Sequence, residues 1–321
     1  MATSKFKNFE VTTDIEQDIK KDIVDIVGDS LNALQEFRNY CTKQKVNPKI
    51  FSQIDLIEEE FKKNPQIIDC LKKVTSHGMG SVPVAFLRSA LFSVVKRGPR
   101  KQFFLDNNAR APIIASWKGY EIRYTGSQLN QSDLDVLIAC FQICQEEGLG
   151  RRVQISMYKV ATTMGRRGGQ KYYDWIEESI RRLENGNIYI ATSDQRFEFS
   201  GSLIENFKRA GDGWELRLNH DLFKLFQDGY TAIDLETRRS LNSDLDKWVY
   251  GFFCSHNGSS YPIGIDKLRE LSGSEREPKK FKSDFKSTME RLKNQTNIEL
   301  TFSDPKHTLI KSKKNKLITA S

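Results

Sequence analysis

The chain has 321 residues, enough for about two domains, and its 38% hydrophobic share supports packed cores, which excludes a disordered or collagen-like chain. Basic residues outnumber acidic ones 50 to 42, a formal charge of +8, and no apolar run approaches the roughly 18 residues of a membrane span. The polar first ten residues lack a signal-peptide core. Five scattered cysteines (Cys41, Cys70, Cys140, Cys144, Cys254) offer neither a disulfide framework nor paired zinc ligands, so a cytoplasmic home is expected.

Residues 1–75 predict a separate helical module. Thr13 and Glu16 form a capping box, and Ile15, Ile19, Ile23, Ile26, Leu31, Leu34 and Phe37 follow at helical spacing. Asn47-Pro48 and Asn64-Pro65 mark helix starts. The small residues of 76–82 predict a flexible linker. In 83–230 a hairpin (113–117 with 120–124) precedes a helix from Ser132 to about 149, a strand at 153–155 and a helix capped by Ser156. The glycine-rich turn 165–169 then leads into a helix over 171–184 and strands at 188–192 and 196–199. The order recurs in 231–314: a helix over 235–254, a strand at 261–263 and a helix bearing Ile265, Leu268 and Leu271 that Gly273 ends. A helix over 278–293 and a hairpin (298–302 with 308–311) complete it. Residues 315–321 form a basic tail. Helix, turn, helix and hairpin spell a winged helix, so the expected fold is α+β, mainly helical, with two tandem winged-helix domains behind the N-terminal module. Arg182-Leu183-Glu184-Asn185 and Arg291-Leu292-Lys293-Asn294 fall at the same place in that order, which supports an internal duplication.

Charge gathers toward the C-terminus. Residues 275–321 hold 12 basic against 6 acidic side chains, whereas residues 1–75 carry a net charge of −1. On the helix from Pro278, Phe281, Phe285, Met289 and Leu292 form one face and a basic stripe the other. The candidate DNA-contacting residues there are Arg276, Lys279, Lys280, Lys282, Ser283, Lys286, Ser287 and Arg291, with Lys306, Lys311 and Lys313 in the following hairpin. Such side chains neutralise phosphates and reach guanine edges in a major groove. A solvated charged face is the competing reading, and Glu290 favours it. The earlier counterpart, Arg166, Arg167, Gln170, Lys171 and Arg181, is diluted by Asp174, Glu177 and Glu178, and reads equally as a DNA contact or a protein interface.

Enzyme signatures are missing. The turn at Gly165 has the wrong glycine spacing for a phosphate loop, and Tyr172 stands where a magnesium-binding Ser or Thr is needed. His77, His220, His256 and His307 are far apart, and Cys140 and Cys144 read as core. No catalytic residue, metal or cofactor is expected.

The segments Pro83 to Phe92, Glu121 to Gly126, Gln131 to Val136, Gly201 to Glu205, Tyr261 to Ile263 and Leu268 to Glu275 together resemble the TrfA-type plasmid replication initiators, the iteron-binding Rep family. The resemblance covers roughly residues 82–300. It implies two winged helices that bind direct repeats at a plasmid origin, open the adjacent duplex and help load the host helicase. It places the main groove contacts on Lys279 to Arg291 and accessory contacts and dimerisation on Arg166 to Arg182, with a monomer–dimer equilibrium linked to copy control. Implied partners are double-stranded origin DNA, the host initiator DnaA, the replicative helicase and, in some members, the sliding clamp. No Gln-Leu-x-Leu-Phe clamp peptide occurs; Leu222-Phe223 and Leu225-Phe226 read as core. A winged-helix transcriptional regulator without an initiation role stays open as the alternative.

Overall fold

The computed structural model describes residues 31–44, 50–52, 54–55, 78–95, 98–117, 119–147, 152–194, 196–219, 221–256, 262–296, 298–302 and 307–312. The expected helix starts at Thr13, Asn47 and Asn64, together with Lys306, Lys313 and the tail 315–321, lie outside them. The elements run α1 (Leu31–Gln44), β1 (Met79–Pro83), α2 (Val84–Leu87), β2 (Phe92–Ser93), β3 (Gln102–Phe103), β4 (Ile113–Ile114), β5 (Tyr120–Ser127) and β6 (Leu129–Asn130). They continue with α3 (Gln131–Glu147), β7 (Val153–Ile155), α4 (Met157–Thr163), α5 (Gln170–Asn185), β8 (Asn187–Thr192), β9 (Glu198–Gly201), β10 (Ile204–Ala210) and β11 (Gly213–Leu218). The remainder is α6 (Leu222–Asp228), β12 (Tyr230–Asp234), α7 (Leu235–Ser240), α8 (Asp244–Cys254), β13 (Pro262–Gly264), α9 (Ile265–Leu271), α10 (Pro278–Gln295), β14 (Ile298–Phe302) and β15 (His307–Ser312).

The expected linker 76–82 is largely strand. β1 lies antiparallel to β12, in register from Met79 opposite Asp234 to Pro83 opposite Tyr230. Burial enforces this: Gly80 to Pro83 are all buried, and a Cβ on Gly80 would fall 2.7 Å from Leu235 Cδ2. The boundary expected at 230/231 therefore falls inside a strand.

Two units share one element order: a long helix, a short strand, a seven-residue helix, a longer helix and a hairpin. In the second unit (α8 to β15) the predicted hairpin forms as β14–β15, and the sheet order is β13-β15-β14. The first unit (α3 to β11) departs from expectation. Its predicted hairpin forms as β8–β9, but β8 pairs with β5, from Tyr120 opposite Thr192 to Thr125 opposite Asn187. β7 instead pairs with β11, giving the order β10-β11-β7. Hairpin β8–β9 is thus an insertion, and the ribbon beside α5 is β10–β11, which the sequence pattern did not reveal.

The helix expected over 235–254 is two helices. Asp234 caps α7 by accepting from Thr237 N at 2.7 Å, Leu241 is extended, and Ser243 caps α8 by accepting from Asp246 N at 3.0 Å. Two local caps outweigh continuous helical spacing here. Elsewhere the local signals hold: Ser156 caps α4, accepting from Lys159 N at 3.1 Å, and Gly165 and Gly273 end the short helices at φ +72 and +65. At Gly273 a Cβ would meet Ser93 Cβ at 2.7 Å, so the turn needs glycine for space as well as for backbone angle.

One core runs through both units. Trp248 of α8 donates its indole N–H to Ser89 O at 3.2 Å, Arg88 Nε donates to Ser255 Oγ at 3.0 Å, and Val94 N donates to Ser272 O at 2.8 Å. Cys140 and Cys144 are buried in it, and burial pushes the Cys140 thiol up to about 12. Among the described residues, no helix is long and apolar enough to cross a membrane.

Candidate nucleic-acid interface

Helix α10 is fixed from below. Phe281, Phe285, Thr288 and Leu292 are buried at i, i+4, i+7 and i+11, and the helix packs on α8 and α9. Beneath it, Asp246 of α8 is almost fully buried. It accepts from Thr288 Oγ1 at 2.8 Å and from Arg291 Nη2 and Nε at 2.7 and 3.1 Å. This hydrogen bonding and charge raise the Arg291 pKa further. Arg291, expected at the DNA face, therefore anchors the helix.

The opposite side is solvent-facing. Lys279, Lys280, Ser283, Lys286, Ser287 and Lys293 are exposed, whereas Lys282 is half-buried. Asp284 draws in two of the predicted cations: it pairs with Lys280 at 3.2 Å and with Arg276, whose guanidinium closes the approach to the helix. Lys279, Ser283, Lys286, Ser287 and Lys293 form the exposed stripe along this side. Of the hairpin cations, Lys311 falls on β15.

Helix α5 is anchored by the same device. Asp133 of α3, fully buried, accepts from Ser179 Oγ at 2.6 Å and from Arg182 Nη2 at 2.9 Å. Arg100 adds a third contact at 2.7 Å. The outward face differs. Lys171 is exposed, Gln170 Nε2 donates to Asp174 at 2.7 Å, and Arg181 pairs with Glu177 at 3.2 Å. Arg166 and Arg167 are exposed in the turn before α5. Arg239 of α7 closes that turn, donating from Nη2 to Thr163 O at 2.6 Å.

A third buried carboxylate ties the units together. Asp135 of α3 receives Arg238 Nε at 2.6 Å and the ammonium of Lys247. Burial works against its ionisation, but the two cations outweigh it and hold the carboxyl below its usual range.

Sequence reasoning missed Asp133, Asp246 and the β10–β11 ribbon. Ser179-x-x-Arg182 and Thr288-x-x-Arg291 share a hydroxyl-to-arginine spacing, a signal for the two clamps. Chemically, the arrangement is a rigid, cation-bearing helix presented to solvent on a buried carboxylate anchor, which suits a polyanion.

The family model described as "TrfA protein" matches residues 64–313, beginning inside the expected N-terminal module. No curated protein matches the chain. Among solved structures, one titled "Crystal structure of SeMet derivatives of domain2 and domain 3 of RctB" is 13% identical. It covers 73% of this chain and 99% of that chain, with a TM-score of 0.49. A second, "Crystal structure of the RctB domains 2-3, RctB-155-483", is 14% identical over 69% of this chain and 95% of that chain, with a TM-score of 0.45.

Proposed function

Because the chain belongs to the TrfA family, we propose that it is a plasmid replication initiator that binds direct repeats at an origin and opens the adjacent duplex. The observation that carries the proposal is the Lys279–Lys286–Lys293 stripe on a helix whose other side is buried and clamped. We read both units as winged helices. The order β13-β15-β14 supports this for the second unit, and β7-β11-β10 with β8–β9 inserted supports it for the first. In this reading α10 lies in the major groove, and its lysines displace counterions from phosphates.

Two units on one chain can address successive major grooves about 34 Å apart. Several copies on a row of repeats then bend the duplex, at on the order of 1–6 kcal/mol per bend, and strain an adjacent AT-rich tract. Recruitment of DnaA and the replicative helicase completes the proposed cycle, with monomers and dimers exchanging. The recognition step uses neither nucleotide nor metal, so binding after dialysis against chelator, without ATP, is expected to equal binding with both supplied.

Footprinting on the DNA flanking the gene, followed by permanganate probing of unpaired thymines, tests the proposal. Protected direct repeats with reactive thymines beside them are the expected result. Occupancy of a promoter with no thymine reactivity, and no support of plasmid replication by supplied protein, would point to a transcriptional regulator instead.

A further inference from the structure

The ribbon β10–β11 carries a stack of rings and guanidinium groups on the side turned toward α5. Arg209 and Trp214 are direct cross-strand partners, and the Arg209 guanidinium lies 4.8 Å from the Trp214 ring centroid. Trp214 stacks on Phe207 with centroids 4.5 Å apart and planes 14° from parallel. Arg181 of α5 reaches across to the same two rings, 5.2 Å from Phe207 and 5.3 Å from Trp214.

The two arginines differ in what surrounds them. Glu177 and Glu184 flank Arg181 at 3.2 and 3.9 Å. Arg209 is exposed and meets no carboxylate among the described residues; its guanidinium lies against the Trp214 ring. On the reverse face of the ribbon, Glu215 takes up Lys208 at 3.2 Å and Arg152 at 3.9 Å. Arg209 thus stands near the tip of the ribbon with its guanidinium over an indole ring. A cation–π contact of this kind restrains the side chain before a ligand arrives and consumes none of the guanidinium's hydrogen-bond donors, which stay available to an anion.

Two further observations select the ligand. Phe207 and Trp214 are only 3% and 7% exposed, so neither can serve as a stacking platform for the bases of a single strand. The helix beside the ribbon offers Asp174, Glu177 and Glu178 outward, so α5 gives phosphates little attraction of its own. We propose that the β10–β11 ribbon grips the phosphate backbone of duplex DNA through Arg209, with Trp214 and Arg181 positioning it. This rests on the DNA-binding reading above and gives the first unit a grip that does not depend on its helix face.

The test uses the full chain and a mixed-sequence duplex of about 30 base pairs, some three helical turns. Wild type, Arg209→Ala, Arg209→Lys and Lys286→Ala are compared by the slope of log affinity against log salt. Arg209→Ala is expected to lower the slope by about 0.9 and to weaken binding about fivefold, alike on mixed and repeat-bearing duplexes, while thermal unfolding stays put. Arg209→Lys keeps the charge and should restore the slope. If Arg209→Ala leaves the slope intact while Lys286→Ala lowers it, the ribbon proposal is wrong and the DNA-binding reading stands. If Arg209→Lys loses as much slope as Arg209→Ala, the charge is not what acts and the proposal also fails. Absence of salt-sensitive binding by wild type would overturn both.

Discussion

The two clamped helices can be laid over one another residue by residue. With Arg182 matched to Arg291, the buried Ile176, Ser179 and Leu183 of α5 fall on the buried Phe285, Thr288 and Leu292 of α10. The outward positions then oppose each other in charge. α10 presents Lys279, Ser283, Lys286 and Lys293 where α5 presents Gln170, Asp174, Glu177 and Glu184, and Glu290 stands where α5 has Arg181. The inner face and its carboxylate anchor are the same in both units, while the outer face is inverted. The scaffold can be held constant while the surface chemistry changes because inward and outward positions alternate around a helix and hardly interact.

The largest expected effects test the shared half of this comparison. Asp133→Ala strands Arg182 and Arg100, both largely buried, and should destabilise the chain by about 3–5 kcal/mol in chemical denaturation. Asp246→Ala should cost less, about 1–3 kcal/mol, because it leaves the buried Thr288 hydroxyl without its acceptor while the half-exposed Arg291 can turn to water. A cost below about 1 kcal/mol for either would mean that the clamps are ornamental.

Asp135→Asn, at the join between the units, should cost about 3 kcal/mol by the same logic. Its pH dependence has a defined sign. Folding depresses the Asp135 carboxyl, so its contribution is present above the unfolded value of about 4 and lost as pH falls through the folded one. The stability gap between wild type and Asp135→Asn should therefore hold from pH 7 to 5 and close in stronger acid. A gap that stays open there would point to packing rather than charge.

The outer faces are probed by smaller changes. Lys279→Ala with Lys286→Ala should weaken duplex binding about 10- to 100-fold and reduce the salt slope by about 1.8. Arg167→Ala with Lys171→Ala should do less, and equal losses would sink the ranking of the units. The smallest expected effect has the opposite sign: Asp174→Lys should tighten duplex binding a few-fold. If it weakens binding in a sequence-dependent way, Asp174 is reading a cytosine amino group and α5 sits in a groove after all.

Much of this organisation was legible in the sequence. The stripe of Phe281, Phe285 and Leu292 located α10, and Ser156, Gly165 and Gly273 set the ends of the short helices, because caps and left-handed turns depend on nearby backbone alone. The ribbon β10–β11 was not legible. Its register shifts between Ile204 and Asn206, which breaks the two-residue alternation that identifies a strand. The Asp133 clamp was hidden for another reason: an aspartate in the first turn of a helix reads as a dipole or capping residue, and its partners lie 46 and 49 positions away. The basic stripe could be read, but not which of its cations pair with acids. Arg276, Lys280 and Arg291 are drawn to Asp284 and Asp246, acids whose own placement depends on the packed fold.

The pairing of β1 with β12 bears on how the protein is made. β1 leaves the ribosome about 150 residues ahead of the strand that completes it. At roughly 5–20 residues per second, it waits on the order of 8–30 seconds with an open hydrogen-bonding edge. During that interval the nascent chain is exposed to edge-to-edge association with its neighbours. Successive chains on one polysome carry the same unpaired segment, Met79–Pro83, through overlapping intervals. The yield of folded protein should therefore fall steeply with expression rate and recover when initiation is made rare enough to space the chains apart.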